Sequence, residues 1–236
     1  MRESSRIHSE RRFPMNVIEA IKTRRSIRGY KPDPVPRQTI EKIIDAAIRS
    51  PSGMNTQPWE FHVITGRVLS DVREENTRLF SSGTIPSTDM LRKPFEGIYR
   101  ERQVSLAKEI FRLMDISRED KEKRNIWMQR GFRYFDAPVA IIICSDREMK
   151  EHLDMLGIGA LCQSICLAAL EYGLGSCIAD QGIMYPEVWH KLAGIPESKR
   201  ITAGICLGYP DWDFPANKLV SGREPLEKIT TWTGWD

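Results

Sequence analysis

Residues 50–65 read Ser50-Pro51-Ser52-Gly53-Met54-Asn55-Thr56-Gln57-Pro58-Trp59-Glu60-Phe61-His62-Val63-Ile64-Thr65. A polar, proline-bounded loop leads here into a β-branched, alternating segment, so Trp59 to Thr65 is predicted to be a strand. Just upstream, Arg37 to Arg49 places Ile40, Ile43, Ile44, Ala47 and Ile48 on one face at helical spacing. Pro51 and Gly53 stop that helix. Asn55 and Gln57 offer directional donors and acceptors without charge, on a backbone stiffened by Pro51 and Pro58. Such a loop suits the edge of a heterocycle. A plain helix-to-strand turn, with Trp59 packed in the core, fits the same residues equally well.

Working outward, Asn16 to Thr23 reads as a short helix with Val17, Ile18 and Ile21 on one face. Pro32, Pro34 and Pro36 force an extended linker after it. Downstream, a helix is expected from Leu69 to about Leu79, and a loop from Ser81 to Pro94. Residues 97–114 and 117–134 read as densely charged helices. Together, residues 80–134 are expected to be an excursion over the surface, a candidate lid. Pro138 to Ser145 is a continuous apolar run, fitting a strand buried on both faces. His152 to Tyr172 is apolar nearly all round and is expected at the centre. Ser176 to Ala179 and Ile201 to Leu207 read as strands, and Tyr185 to Leu192 as a helix. The C-terminal segment from 209 carries Trp212, Trp232 and Trp235 among proline breakers, an apolar tail that needs a surface such as a partner subunit.

The chain has 236 residues, 41% of them hydrophobic, and a net charge of +3. That suits one α+β domain, expected over residues 15–236. The basic and acidic residues are interleaved, which gives no electrostatic footprint for nucleic acid. The longest apolar run, Pro138 to Cys144, is much shorter than the roughly 20 residues of a membrane span. Residues 1–14 lack the apolar core of a secretory signal. They are expected to be a disordered extension; Met15, directly before the first helical pattern, is a candidate native start. Cys144, Cys162, Cys166, Cys177 and Cys206 are odd in number and read as buried reduced thiols, with a cytoplasmic setting. No strand–glycine-loop–helix dinucleotide fingerprint, nucleophile elbow or metal spacing occurs.

Two further segments carry donors. Arg24, Arg25, Ser26 and Arg28 cluster guanidinium groups and a hydroxyl, matched to the geometry of a phosphate. By itself such a cluster is more often a solvated turn. Arg223, in Ser221-Gly222-Arg223-Glu224-Pro225-Leu226-Glu227, is a second cationic source, or a surface arginine paired with a neighbouring glutamate.

In this order, the Arg-Arg-Ser-Ile-Arg turn, the Ser-Pro-Ser-Gly-x-Asn-x-Gln-Pro-Trp loop and the C-terminal Gly208-Tyr209-Pro210-Asp211 to Arg223 stretch resemble the motifs of the FMN-dependent nitroreductase family. The resemblance implies an α+β sandwich with a mostly antiparallel central sheet flanked by helices. It implies an intertwined homodimer with a C-terminal arm and FMN at the subunit interface. Arg24, Ser26 and Arg223 would hold the phosphate, with Arg25 beside them, and Arg28 would sit near the pyrimidine edge. Pro51, Ser52, Gly53, Asn55 and Gln57 would reach the flavin from the neighbouring subunit. Ile178, Ala179, Asp180, Gln181 and Gly182 would face its N5 edge, although many relatives carry a Glu-Gly-like pair there. The implied reaction takes hydride from NAD(P)H to a nitroaromatic or quinone, with no protein nucleophile. Phe95, Tyr99, Phe111, Trp127, Phe132, Tyr134 and Phe135 could line the acceptor slot or hold the excursion on the body. Two alternatives stand beside this. One is reductive dehalogenation of a halophenol, with Glu96, Tyr99 and Lys108 on the lid. The other is a non-catalytic flavin-binding protein.

Overall fold

The apolar run ahead of Cys144 becomes β2 (Val139–Asp146), the inner strand that makes the sheet two-sided. The chain was described from a computed structural model, which covers residues 16–87, 94–149 and 151–235. The extension expected at 1–14 and the candidate start at Met15 lie outside the described residues. β2 pairs antiparallel with β1 (Glu60–Thr65) on one side and β4 (Lys199–Gly208) on the other; β3 (Gly175–Ile178) pairs antiparallel with β4. The order is β1-β2-β4-β3.

Because side chains alternate across a strand, β2 feeds two cores. Ala140, Ile142 and Cys144 face one cluster with Ile64, Leu69, Val72, Phe132, Tyr134 and Trp189. Val139, Ile141 and Ile143 face the other, with Ile40, Ile43, Trp59, Ile158, Leu161 and Ile165. The helices sort accordingly. α2 (Arg37–Ala47) and α6 (Glu151–Glu171) cover one face. α3 (Gly66–Ser81), α5 (Lys121–Phe132) and α7 (Pro186–Ala193) cover the other. This is the expected helix-flanked antiparallel sheet.

Local signals fix several element ends. Asn16 caps α1 (Val17–Thr23) by accepting the Glu19 amide at 2.9 Å. Asp120 caps α5 through the Lys123 amide at 2.8 Å. Pro186 opens α7 and Gly194 closes it in the left-handed conformation.

Two expectations need correction. The stretch 80–134 does not behave as one excursion. α4 (Gly97–Leu113) buries only Ile110 among its residues, whereas α5 runs into Phe132, Tyr134 and Phe135, all in the core. Those last three rings therefore hold the body together, while Phe95 and Tyr99 are exposed. Nor does α6 lie wholly inside: Ile158, Leu161 and Ile165 are buried, but Leu156 is 82% exposed. Val17, Ile18 and Ile21 of α1 are exposed as well. The apolar patterns are present, and these faces are uncovered in the described chain.

Candidate active site

α1 ends at Arg24, and the chain then extends beside β3. Ser26 bridges Ser176 in parallel, and the Ile27 amide donates to the Ser176 carbonyl at 2.9 Å. Ile27 is buried, so in this extended segment Ser26 and Arg28 share the opposite side. Burial raises the Cys177 thiol pKa and the charge of Asp180 adds to the rise, while the charge of Arg28, a hydrogen bond with Ser26 and the charge of Arg24 pull it back. All three residues therefore gather at the Cys177 end of β3. The Arg24 Nε is buried without a hydrogen-bond partner. No described carboxylate pairs with Arg24 or Arg28. An unpartnered buried donor costs on the order of 1–3 kcal/mol, which an anion placed there would recover.

Arg25 leaves this group. Its guanidinium stacks on Trp212, 5.0 Å from the ring centroid. It ties the turn to the C-terminal segment and is not part of the anion cluster.

The loop after α2 has the most unusual backbone of the described surface. Met54, Asn55 and Gln57 adopt φ values of 50°, 59° and 48°, in the left-handed region that costs non-glycine residues about 1 kcal/mol or more each. Ser52 Oγ accepts the Gln57 amide at 3.0 Å, and Ser50 Oγ donates to Ser164 Oγ of α6 at 2.7 Å. Pro58 and Trp59 are buried below. Pro51, Gly53, Met54, Asn55 and Gln57 stay exposed, and Ser52 is half-buried. The loop is thus strained, anchored beneath and open above.

At the end of β3, Ile178 is 44% exposed and Ala179 is buried, its amide donating to Gly204. The next residues depart from the expectation. Gly182 is turned inward: its carbonyl accepts from Asn76 Nδ2 at 3.0 Å and Trp189 Nε1 at 2.8 Å, and its amide donates to Ala179. A side chain at Gly182 would collide with the Tyr134 ring, and Gln181 lies against Gly131 of α5. Gly182 is thus a core joint with no free backbone group for a ligand. Asp180 is half-buried at the start of the same short helix.

A model of the nitroreductase family matches residues 21–209. The chain belongs to that family. It is 31% identical over 218 residues to a nitrobenzene nitroreductase of Ectopseudomonas oleovorans, covering 91% of this chain and 96% of that protein. It is 30% identical to a 4-nitrobenzoate reductase of Nocardioides sp. (strain LMS-CY), covering 92% and 89%. A solved FMN- and NADPH-dependent nitroreductase, NfnB from Sphigopyxis sp. strain HMH, superposes with a TM-score of 0.88 at 27% identity, over 94% of this chain and all of that one.

In this nitroreductase-family chain, Arg223 makes its described hydrogen bonds within its own turn: its Nη1 donates to Ser221 and Gly222 at 2.9–3.1 Å. Glu224 beside it pairs with Arg102 of α4 at 3.3 Å. No described contact joins Arg223 to Arg24. Two residues given no role in the sequence analysis hold the Arg28 turn. Asn217, buried, accepts the Arg28 and Gly29 amides at 2.7 and 3.2 Å and donates to the Gly29 and Asp211 carbonyls at 2.7 Å. Arg130 Nη2 donates to the Arg28 carbonyl at 3.1 Å. Asn217 stood in a recognised motif; Arg130 looked like any charged residue on α5.

The geometry of α4 also bears on the dehalogenase alternative. Tyr99 and Lys108 sit on one continuous helix, separated along its axis by about 13 Å. They do not converge on one halophenol.

Proposed function

We propose that this protein is an FMN-dependent oxidoreductase that reduces a flat, easily reduced acceptor, a nitroaromatic or quinone, at the expense of NAD(P)H. The observation that carries this is the group of Arg24, Ser26 and Arg28 around the end of β3, with a buried Arg24 Nε that lacks a hydrogen-bond partner. That donor set fits a phosphate-bearing flavin. The names of the relatives, nitrobenzene and nitrobenzoate reductases, support the acceptor class, and the FMN- and NADPH-dependent neighbour supports the cofactor and donor.

Bound FMN supplies the hydride chemistry at its N5. The chain's own residues bind, orient and neutralise. Arg24 and Ser26 take the phosphate, and Arg223 completes that site. Arg28 would stand near the pyrimidine edge, where a cation would stabilise the negative charge that reduction brings. Pro51, Ser52, Gly53, Asn55 and Gln57 form a rigid polar edge, and Ile178 and Ala179 offer the apolar end of β3. No protein nucleophile takes part.

Two copies complete the site. Val17, Ile18 and Ile21 on α1, Leu156 on α6, and Ile229, Trp232 and Trp235 on the C-terminal arm are all exposed in one chain. Exposed apolar faces of this kind call for a partner, and a second copy would bring the loop at 51–57 to a flavin whose phosphate Arg24 holds. Five buried, unpaired thiols support a cytoplasmic setting.

The test is the double variant Arg24→Ala with Arg223→Ala. Each charge-assisted contact is worth on the order of 1.5–3 kcal/mol, so FMN affinity, read by fluorescence titration, falls more than tenfold. Affinity equal to wild type removes the phosphate assignment. Stopped-flow reduction of the wild type by NADH and NADPH, followed by a nitrobenzoate and quinone panel, checks the reaction itself.

A further inference from the structure

The backbone of the Arg28 turn is clamped from two sides, and only one clamp lies in the C-terminal segment. Asn217 takes the amides of Arg28 and Gly29 and the carbonyl of Gly29. The remaining backbone group, the Arg28 carbonyl, goes to Arg130 of α5 at 3.1 Å.

Arg130 is itself set by its surroundings. Its Nη1 pairs with Asp136 at 3.2 Å, and its guanidinium lies over the Phe214 ring at 4.7 Å. Asp136 ends a turn in which Tyr134, Phe135 and Asp136 all have left-handed φ, 55°, 51° and 60°. Arg73 of α3 fixes that turn by donating to the carbonyls of Arg133 and Ala137. Arg133 shares the Asp136 carboxylate at 2.8 Å. Three successive non-glycine residues hold an unfavoured conformation, and its outcome is to aim one carboxylate at Arg130. A planar fork that stacks on a ring while bridging a carboxylate and a carbonyl is a task a lysine does not perform.

We propose that Arg130 is a positioning residue for the cofactor turn: held by Asp136 and Phe214, it fixes the Arg28 carbonyl and thereby the stance of the Arg28 side chain against the flavin. This rests on the reading of Arg24, Ser26 and Arg28 as the FMN turn.

The experiment compares wild type, R130M, R130K and D136N, each as apoprotein titrated with FMN and then as flavoprotein in a redox titration. In R130M the FMN Kd rises at least tenfold. The midpoint potential of the flavin that does bind falls, because a disordered Arg28 weakens the reduced form more than the oxidised one. A tenfold larger loss for the reduced form corresponds to about 30 mV for a two-electron couple. R130K keeps the charge and restores neither quantity. D136N shifts both in the same direction by less, and carries the test if R130M does not fold. Wild-type Kd and potential in R130M and D136N overturn the proposal. So does a lower melting temperature with an unchanged potential, which would make Arg130 a structural bridge alone. Failure of the wild type to take up FMN overturns instead the functional reading beneath it.

Discussion

Arg24 shows how a single residue can signal a ligand. A guanidinium Nε without a partner is held at a loss in a buried setting, and a bound anion would recover that loss. The residue types at this turn were legible in sequence, but their assignments were not. Arg25 has the same chemistry as Arg24 and a different partner, Trp212, because successive side chains of an extended segment point apart. The thiols read correctly at this scale. All five are buried and unpaired, and burial pushes Cys144 and Cys162 up to about 12. The folded protein therefore resists iodoacetamide at pH 8, and all five thiols react after unfolding in urea, as counted by mass spectrometry. His62 supplies a pH dependence. Burial lowers its pKa below 6.5, with Glu60 opposing and Lys199 assisting. The unfolded chain then binds more protons between the folded pKa and 6.5, so this contribution to stability is full above pH 6.5 and is lost as pH falls through that window. Urea midpoints at pH 7.5 and 5.5 should differ less in His62→Gln than in wild type.

Among the elements, the loop at 51–57 and the turn at 134–136 share one device, left-handed backbone at non-glycine residues. Neither could be read from the sequence, since Met54, Gln57, Tyr134 and Phe135 are poor predictors of positive φ. Their strain is imposed by neighbours: Ser52 and the buried Trp59 in the first case, Arg73 and Arg133 in the second. Met54 is 98% exposed, so replacing it removes conformational strain without opening a cavity. Met54→Gly relieves about 1–2 kcal/mol of left-handed strain against about 0.5–1 kcal/mol of added chain entropy. The variant should therefore be more stable than wild type by up to about 1.5 kcal/mol in urea, with weaker FMN binding because the loop loses its rigidity. A loss of stability would show that the loop is not strained. The charged helices divide for a related reason. α5 reaches the core through its C-terminal end, where Phe132 and Tyr134 follow a charged surface, and a charge pattern alone does not separate such a helix from a true surface excursion such as α4.

For the whole molecule, the exposed apolar faces of α1, α6 and the C-terminal arm are the main feature a single chain leaves unsatisfied. Sedimentation velocity should therefore give a species of twice the 27.2 kDa chain mass. The variant Val17→Asp with Ile21→Asp should dissociate it while losing most FMN affinity; a monomer that binds FMN as tightly as wild type would remove the shared site. By itself, the sequence determined the two-sided sheet, because a strand such as Ile141-Ile142-Ile143 can bury both faces only between helical layers. It also determined the helix placement and the donor types of the site, which are local periodicity and local chemistry. Only the tertiary structure decided which donors meet. Asn217 and Arg130 reach the Arg28 turn from 189 and 102 residues away, and a contact across that distance depends on how layers stack rather than on any neighbour in the chain.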